Sequence, residues 1–133
     1  MVCIYCGDDT QVINSRLQKR SNAIWRRRRC LKCENVFSTI ERVDLAQALR
    51  MELTKGNLAP FDRDILFTSI YDSLKHRPHP IQDATEITNT VITNLVKSHR
   101  AVFGRQEIIQ ATHKVLQRFD TAADVQYVAF HKP

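Results

Sequence analysis

The sequence predicts an α+β protein in which a short β-rich segment precedes a longer, mainly helical one. All four cysteines lie within the first 33 of the 133 residues. In that early segment apolar and polar residues alternate, which is typical of strands, whereas from residue 63 onward apolar residues recur with the period of a helix. We therefore expect two small domains, 1–45 and 46–133.

The composition is that of a globular protein whose charge suits an anionic partner. Hydrophobic residues make up 43% of the chain, charged residues 26%, and the net charge is +6. The first 45 residues carry nine Lys/Arg against five Asp/Glu, so most of the excess charge lies there. No apolar run approaches the ~20 residues of a membrane helix, and no secretory signal pattern opens the chain. We expect a cytoplasmic protein with reduced thiols and no membrane partner.

The cysteines form two C-x-x-C pairs, Cys3/Cys6 and Cys30/Cys33, and this pattern predicts a structural zinc site. Each pair brings two thiolates to one point, and two pairs complete a tetrahedron. A segment this short buries little apolar surface, so a metal would supply the missing stability. Two disulfides would require an oxidising compartment, and a thioredoxin-like site would have a single pair. No spare ligand accompanies the four cysteines, so we do not expect a catalytic metal.

Three stretches around the cysteines read as short antiparallel strands, because β-branched and aromatic residues are bounded by polar turns. They are TQVINSR, NAIWRRRRC and NVFSTIERV. Gly7 follows the first cysteine pair, where a positive φ is often required, whereas Glu34 follows the second pair and is less suited to it. Trp25 either forms a miniature core or stacks on a nucleic-acid base.

Four consecutive arginines, Arg26, Arg27, Arg28 and Arg29, lead directly into the second cysteine pair. On a strand, alternate side chains point to opposite faces, so the block would form a two-sided basic ribbon. One interpretation is a charged edge that prevents strand-to-strand aggregation. An import or cleavage signal would need a flexible segment, which a metal ligand does not allow. We favour phosphate binding by these four residues, to which Arg16 on the neighbouring strand adds, since guanidinium groups match phosphates and base edges.

The second segment begins with a predicted β-hairpin and a helix. The turn signal is Lys55-Gly56-Asn57, between two short apolar runs. Asp62 is expected to cap a helix over residues 63–76, and Pro78 and Pro80 to end it.

Two further helices are predicted beyond the prolines. Asp83 is expected to cap the first of them, with Glu86 as its capping-box partner. The other spans residues 105–119. The last residues, ADVQYVAFHKP, suit a strand or a helix equally well. The histidines share no motif, and neither a phosphate-binding loop nor a nucleophile–base pair is visible, so we do not expect an enzyme.

The residues of the first segment resemble a known family. The pattern C-x-x-C, V-I-N-S-R-L, I-W-R-R-R-R-C-L-x-C and F-S-T-I-E is similar to the zinc ribbon of the NrdR family, bacterial repressors of ribonucleotide reductase genes. Asn14 stands where that family usually has Asp, and Trp25 occupies the first position of the family's arginine block.

The second segment resembles the ATP-cone that follows the ribbon in the same family, through G-N-L-A-P-F-D-R-D-I-L and S-L-K-H-R-P. The resemblance implies homo-oligomers and an ATP or dATP effector, with Met51, Lys55 and Gly56 as candidate contacts of the nucleotide. Leu53 and Ile65 occupy positions at which the family has lysines.

The resemblance implies a small three-stranded zinc ribbon followed by an ATP-cone-like helical bundle capped by a short β-hairpin. The function that the resemblance implies is a zinc-dependent repressor that binds double-stranded promoter DNA of ribonucleotide reductase genes. The ribbon would contact this DNA through Arg16, Arg26, Arg27, Arg28 and Arg29. The alternative is a non-enzymatic interaction module, whose ATP-cone-like domain docks on ribonucleotide reductase or on a partner repressor.

Overall fold

A computed structural model describes residues 1–133, which divide into two compact units, Met1–Val43 and Asp44–Pro133. The first unit contains the predicted three-stranded antiparallel sheet, in the order β1-β2-β3. Its strands are Thr10–Gln18 (β1), Ala23–Cys30 (β2) and Val36–Glu41 (β3). The sequence prediction of a three-stranded ribbon is confirmed.

The first unit has almost no apolar core. Its fully buried apolar side chains are Cys3, Ala23 and Cys30, two of which are cysteines. Large apolar side chains elsewhere in the unit are exposed or half-buried, and those of Ile4 and Leu17 are more than 60% exposed. Burial of apolar surface therefore contributes little to the stability of this sheet, and another source of stability is required.

The second unit contains five helices and a second three-stranded sheet. In chain order its elements are α1 (Leu45–Ala48), β4 (Arg50–Thr54), β5 (Asn57–Pro60), α2 (Arg63–Ser73), α3 (Pro80–Val96), β6 (Val102–Gly104), α4 (Arg105–Phe119) and α5 (Thr121–Phe130). The sheet order is β5-β4-β6, with β6 parallel to β4. The core is formed by residues that are at most 8% exposed, among them Phe103, Ile70, Leu74, Val91, Leu116 and Tyr127.

Several predicted elements are present where the sequence indicated them. β4 and β5 form the hairpin, and Gly56 in its turn has φ of 81°. The Asp62 carboxylate accepts hydrogen bonds from the amides of Asp64 and Ile65, at 2.8 and 3.1 Å, and so caps α2. Helix α4 has the predicted bounds.

The predicted start of α3 is wrong. The helix begins at Pro80, which is predicted to end the preceding helix, and not after Asp83. Proline is favoured at the first helical position because it has the required φ and its missing amide would have no partner there. Asp83 lies in the first turn and accepts a hydrogen bond from Arg77 at 2.6 Å, so it does not act as the cap. The preceding helix ends at Ser73, earlier than predicted.

Two elements were not identified from the sequence. Strand β6 has three residues, too few for a periodic pattern. The ambiguous C-terminal stretch is a helix, because Ala123 and Tyr127, four residues apart, are both buried against the core. The Asp120 carboxylate caps this helix through the amides of Ala122 and Ala123.

Asp120 also accepts hydrogen bonds from Arg77 at 2.9 Å and His76 at 3.0 Å, which links the segment between α2 and α3 to the start of α5. The amide of Ala123, the Arg77 guanidinium and His76 hold the pKa of Asp120 well below its usual range.

A carboxyl with a lowered pKa in the folded state stabilises the fold above its unfolded pKa of about 4, and this contribution is lost as the pH falls further. We expect Asp120→Asn, which keeps a capping residue but removes the charge, to destabilise the second unit by about 1 kcal/mol at pH 7. The difference between the variant and the wild type should shrink below pH 4. Thermal melts across pH 2–8 measure this, and a constant difference would contradict it.

Candidate metal centre and nucleic-acid interface

The four cysteine thiols of the first unit converge on one point. Cys3 and Cys6 lie in the loop before β1, Cys30 ends β2, and Cys33 follows it. All four Sγ atoms lie within 4.8 Å of one another, and Cys3–Cys33 and Cys6–Cys30 are separated by 3.7 and 3.5 Å. Four thiolates at about 2.3 Å from one zinc ion would be about 3.8 Å apart, so the cluster fits a tetrahedral zinc site. All four cysteines are free, not disulfide-bonded.

Backbone amides support the thiolate form of Cys30. Burial alone raises the pKa of this thiol, but the amides of Cys33 and Lys32, each 3.4 Å from Sγ, lower it. Hydrogen bonds with the Cys6 and Cys33 thiols also lower it, and the pKa of Cys30 is about 6, whereas the pKa of the neighbouring Cys6 thiol is raised to about 12. Amide donors at this position are those a tight C-x-x-C turn provides, and they stabilise negative charge on a metal ligand.

Each cysteine pair is followed by a residue in the left-handed conformation. Gly7 has φ of 80°, as expected, and Glu34 has φ of 61°. A side chain in this region costs on the order of 1 kcal/mol relative to glycine. The Glu34 carboxylate is 3.4 Å from the Arg29 guanidinium, and both side chains are largely exposed, so this ion pair offsets little of that cost.

We therefore expect Glu34→Gly to stabilise the metal-bound first unit by up to about 1 kcal/mol. The variant should also bind polyanions more tightly, because it releases Arg29 and removes a negative charge. Chemical denaturation followed by Trp25 fluorescence measures the first effect, since the chain has one tryptophan. A matched control is Glu41→Gly, which removes the same charge from a strand and should destabilise the sheet. A loss of stability in Glu34→Gly would show that the left-handed conformation of Glu34 does not strain the turn.

The strand register separates the arginine block into two faces. Residues opposite each other on neighbouring strands share a face. Arg27 lies opposite Asn14 on β1 and Ser38 on β3, whereas Arg28 lies opposite Val12 and Phe37. We call these two surfaces the Arg27 face and the Arg28 face. The Arg27 face comprises Gln11, Asn14, Arg16, Trp25, Arg27, Arg29, Val36, Ser38 and Ile40.

The Arg28 face carries two arginines, Arg26 and Arg28, and both make contacts within the protein. Arg26 forms an ion pair with Glu41, and its side chain is 29% exposed. Arg28 is half-buried and donates from Nη1 to Thr10 Oγ1 at 3.3 Å, while its Nε is buried without a partner. These contacts hold both guanidinium groups against the sheet.

The arginines on the Arg27 face are more accessible to a ligand than those on the Arg28 face. Arg27 is exposed and has no hydrogen bond or ion pair with the protein, and Arg29 is exposed beside Glu34. The Arg16 guanidinium lies 6.0 Å from the centre of the Trp25 ring, within range of a cation–π contact. Trp25 itself is half-buried on this face.

A bulge in β1 brings Arg16 to this face. The register shifts between Val12 and Asn14, so Ile13 has no partner on β2. Without the extra residue, strict alternation would place Arg16 on the opposite side of the sheet from Arg27. Asn14 reaches the Arg27 face by the same shift; from the sequence it stands out only as a departure from the family pattern and not as a candidate DNA contact. The adjacent apolar residues Val12 and Ile13, which break the alternation, are the only sequence signal for this.

The candidate nucleotide contacts lie on the hairpin of the second unit. Met51 is half-buried on the core side, opposite Ala59 and Phe103, and Lys55 is exposed in the turn beside Gly56. The Gly56 amide donates to the Glu52 carboxylate at 3.1 Å.

The hairpin turn offers a phosphate group one cation, Lys55, but also a carboxylate, Glu52. A phosphate near the turn would meet the Glu52 carboxylate where it requires an amide donor or a cation. Leu53 and Ile65 are 49% and 68% exposed, so apolar side chains take the places of the two lysines expected from the resemblance. Glu52 belongs to no motif in the sequence, so this carboxylate was not predicted to lie at the turn.

No helix in the chain is both long and apolar enough to cross a membrane.

Comparison with known proteins gives matches over both units. A family model described as "Transcriptional repressor NrdR-like, N-terminal domain" matches residues 1–41. The chain is 35% identical over 133 residues to the transcriptional repressor NrdR of Gluconobacter oxydans, which covers 99% of this chain and 80% of that relative. It is similarly 35% identical to the NrdR of Afipia carboxidovorans, over 99% of this chain and 84% of the relative. The NrdR of Nitrosomonas europaea is 34% identical over 98% of this chain and 80% of its own length.

Proposed function

The chain belongs to the NrdR family of transcriptional repressors, and from this premise we propose that it represses ribonucleotide reductase genes by binding their promoter DNA through the Arg27 face. The observation that carries the proposal is the strand register. It places Arg16, Arg27 and Arg29 together on one exposed surface of a unit that is otherwise held by four cysteines. Guanidinium groups presented in this way suit phosphate oxygens and guanine edges.

In this proposal Cys3, Cys6, Cys30 and Cys33 hold one structural zinc ion. The ion would supply the stability that the small core of the first unit lacks. Cys30 is the last residue of β2, so a metal bond at this position restrains the strand that carries the arginines. The first unit then acts as the DNA-binding domain and the second as an ATP-cone-like domain. Arg26 and Arg28 support the sheet and contribute charge at longer range.

The test is a gel shift on ribonucleotide reductase promoter DNA, with and without zinc chelation, at near-physiological salt. We expect a complex that forms more tightly than with random duplex and disappears on chelation. Salt must be held constant because a basic unit binds any DNA weakly at low salt. Equal binding to promoter and random duplex would rule out the proposed function.

Homo-oligomers are expected from the family resemblance, and we propose that the second unit assembles copies of the chain on DNA. Symmetric assembly would let two ribbons engage two half-sites at once, which raises the apparent affinity. Mass photometry with and without promoter DNA tests this. Monomers alone under both conditions would contradict it.

We propose separately that ATP and dATP do not regulate this chain. The Glu52 carboxylate at the hairpin turn and the apolar side chains of Leu53 and Ile65 suit a phosphate poorly. We expect calorimetric titration with ATP and dATP to give no binding at concentrations up to about 1 mM. The triple variant Glu52→Gln, Leu53→Lys, Ile65→Lys removes the competing carboxylate and adds two cations, so it should gain measurable affinity. Tight binding of either nucleotide by the wild type would contradict this account of the hairpin.

A further inference from the structure

Three residues form one straight row across the Arg27 face. Arg27 is the central member, with Asn14 directly opposite on β1 and Ser38 directly opposite on β3. All three side chains are exposed, and none makes a hydrogen bond or ion pair with the protein. The row therefore presents three polar side chains that have no hydrogen-bond or ion-pair partner within the protein.

Parallel rows flank it on both sides. One contains Arg16 and Trp25, and the other contains Gln11 and Arg29. Successive residues on one face of a strand are about 6.8 Å apart, so the two flanking rows are separated by about 14 Å. The DNA major groove is about 12 Å wide and admits a two-stranded β-ribbon, which here would be the β1–β2 pair that carries Asn14 and Arg27. A sheet face of this size can place its outer arginines near the phosphates of the two strands while its central row meets the base edges.

The chemistry of Asn14 suits a base edge better than a phosphate. Its carboxamide offers both a donor and an acceptor, which is the combination that pairs with N7 and the N6 amino group of adenine. The group is neutral, so it can lie beside the DNA backbone, where a carboxylate would be repelled. A phosphate, in contrast, presents only acceptors and is matched by the neighbouring guanidinium groups.

We propose that Asn14 is a specificity-determining residue that reads one adenine in the major groove, with Arg27 beside it on the adjacent base pair. This inference rests on the proposed function, because it requires the first unit to bind DNA through the Arg27 face. It depends on the bulge at Ile13, since an unbulged strand would turn Asn14 to the other side of the sheet.

The experiment is selection from a randomised duplex library with the zinc-loaded full-length chain, comparing the wild type with Asn14→Ala and Asn14→Asp. Ser15→Ala, on the adjacent residue of the opposite face, is the matched control. We expect the wild type and Ser15→Ala to select the same sequence. Asn14→Ala should lose the preference for adenine at one position by about tenfold, while its affinity for random duplex changes less than twofold. Asn14→Asp should lose the same preference and also bind random duplex more weakly.

The outcomes separate the inference from the proposed function. If the wild type selects a sequence and Asn14→Ala selects the same one with the same preferences, the role of Asn14 is overturned while DNA binding stands. If the wild type shows no preference for any sequence, both are overturned. Zinc content of each variant, measured by atomic absorption, shows whether an effect arises from an unfolded ribbon.

Discussion

Replacement of Cys30 by serine is expected to unfold the first unit and abolish DNA binding. Cys30 is both a candidate zinc ligand and one of the three apolar side chains that are buried in the unit. Structural zinc contributes on the order of 10–16 kcal/mol to folding in small finger peptides, which is more than a unit of this size gains from its core. A serine hydroxyl is a poor ligand for zinc at neutral pH, so the site should lose most of its affinity.

Two measurements on the same sample check this expectation. Zinc content should fall from one ion per chain towards zero, and Trp25 fluorescence should shift to that of a solvent-exposed indole. The thermal transition of the second unit serves as an internal control and should persist, because its core contains no cysteine. Full zinc occupancy with native Trp25 emission in Cys30→Ser would show that the ribbon does not depend on the four-thiol site.

The second large effect is expected from the comparison of two arginines on opposite faces of the sheet, Arg27 and Arg26. Arg27→Ala should cost about 1–3 kcal/mol of DNA-binding free energy, roughly 5- to 150-fold in affinity. Arg26→Gln removes the same charge from the opposite face and is the matched control. It should change affinity far less, because Arg26 already pairs with Glu41.

The salt dependence of binding distinguishes contacts from general charge. Each phosphate contact that is lost lowers the slope of log affinity against log salt concentration by about 0.9. We expect the triple variant Arg16→Ala, Arg27→Ala, Arg29→Ala to lower the slope by two to three such contacts, and Arg26→Gln to leave it nearly unchanged. Equal losses per charge removed from the two faces would mean that overall charge, and not the Arg27 face, determines binding.

Much of the second unit could be predicted from local sequence alone. The helix at 105–119 has a clear apolar period, and Asp62 is a strong N-cap immediately before another such period. The helix start at Pro80 was not predicted, because a proline can end one helix and can also occupy the first position of the next. The local sequence does not distinguish the two cases, and the folded path of the chain decides between them. Strand β6 could not be predicted from the local sequence, because it has only three residues and its partner, β4, is distant in sequence.

The sequence by itself determined the four-cysteine site, the three strands around it and the concentration of positive charge next to it. These depend on residue type and short spacing, which are local properties. Only the tertiary structure decided which arginines are available, because strand register and the bulge at Ile13 arise from pairing between β1 and β2. It also revealed the Glu52 carboxylate at the hairpin turn, since a hydrogen bond between a side chain and a backbone amide depends on the folded path of the chain.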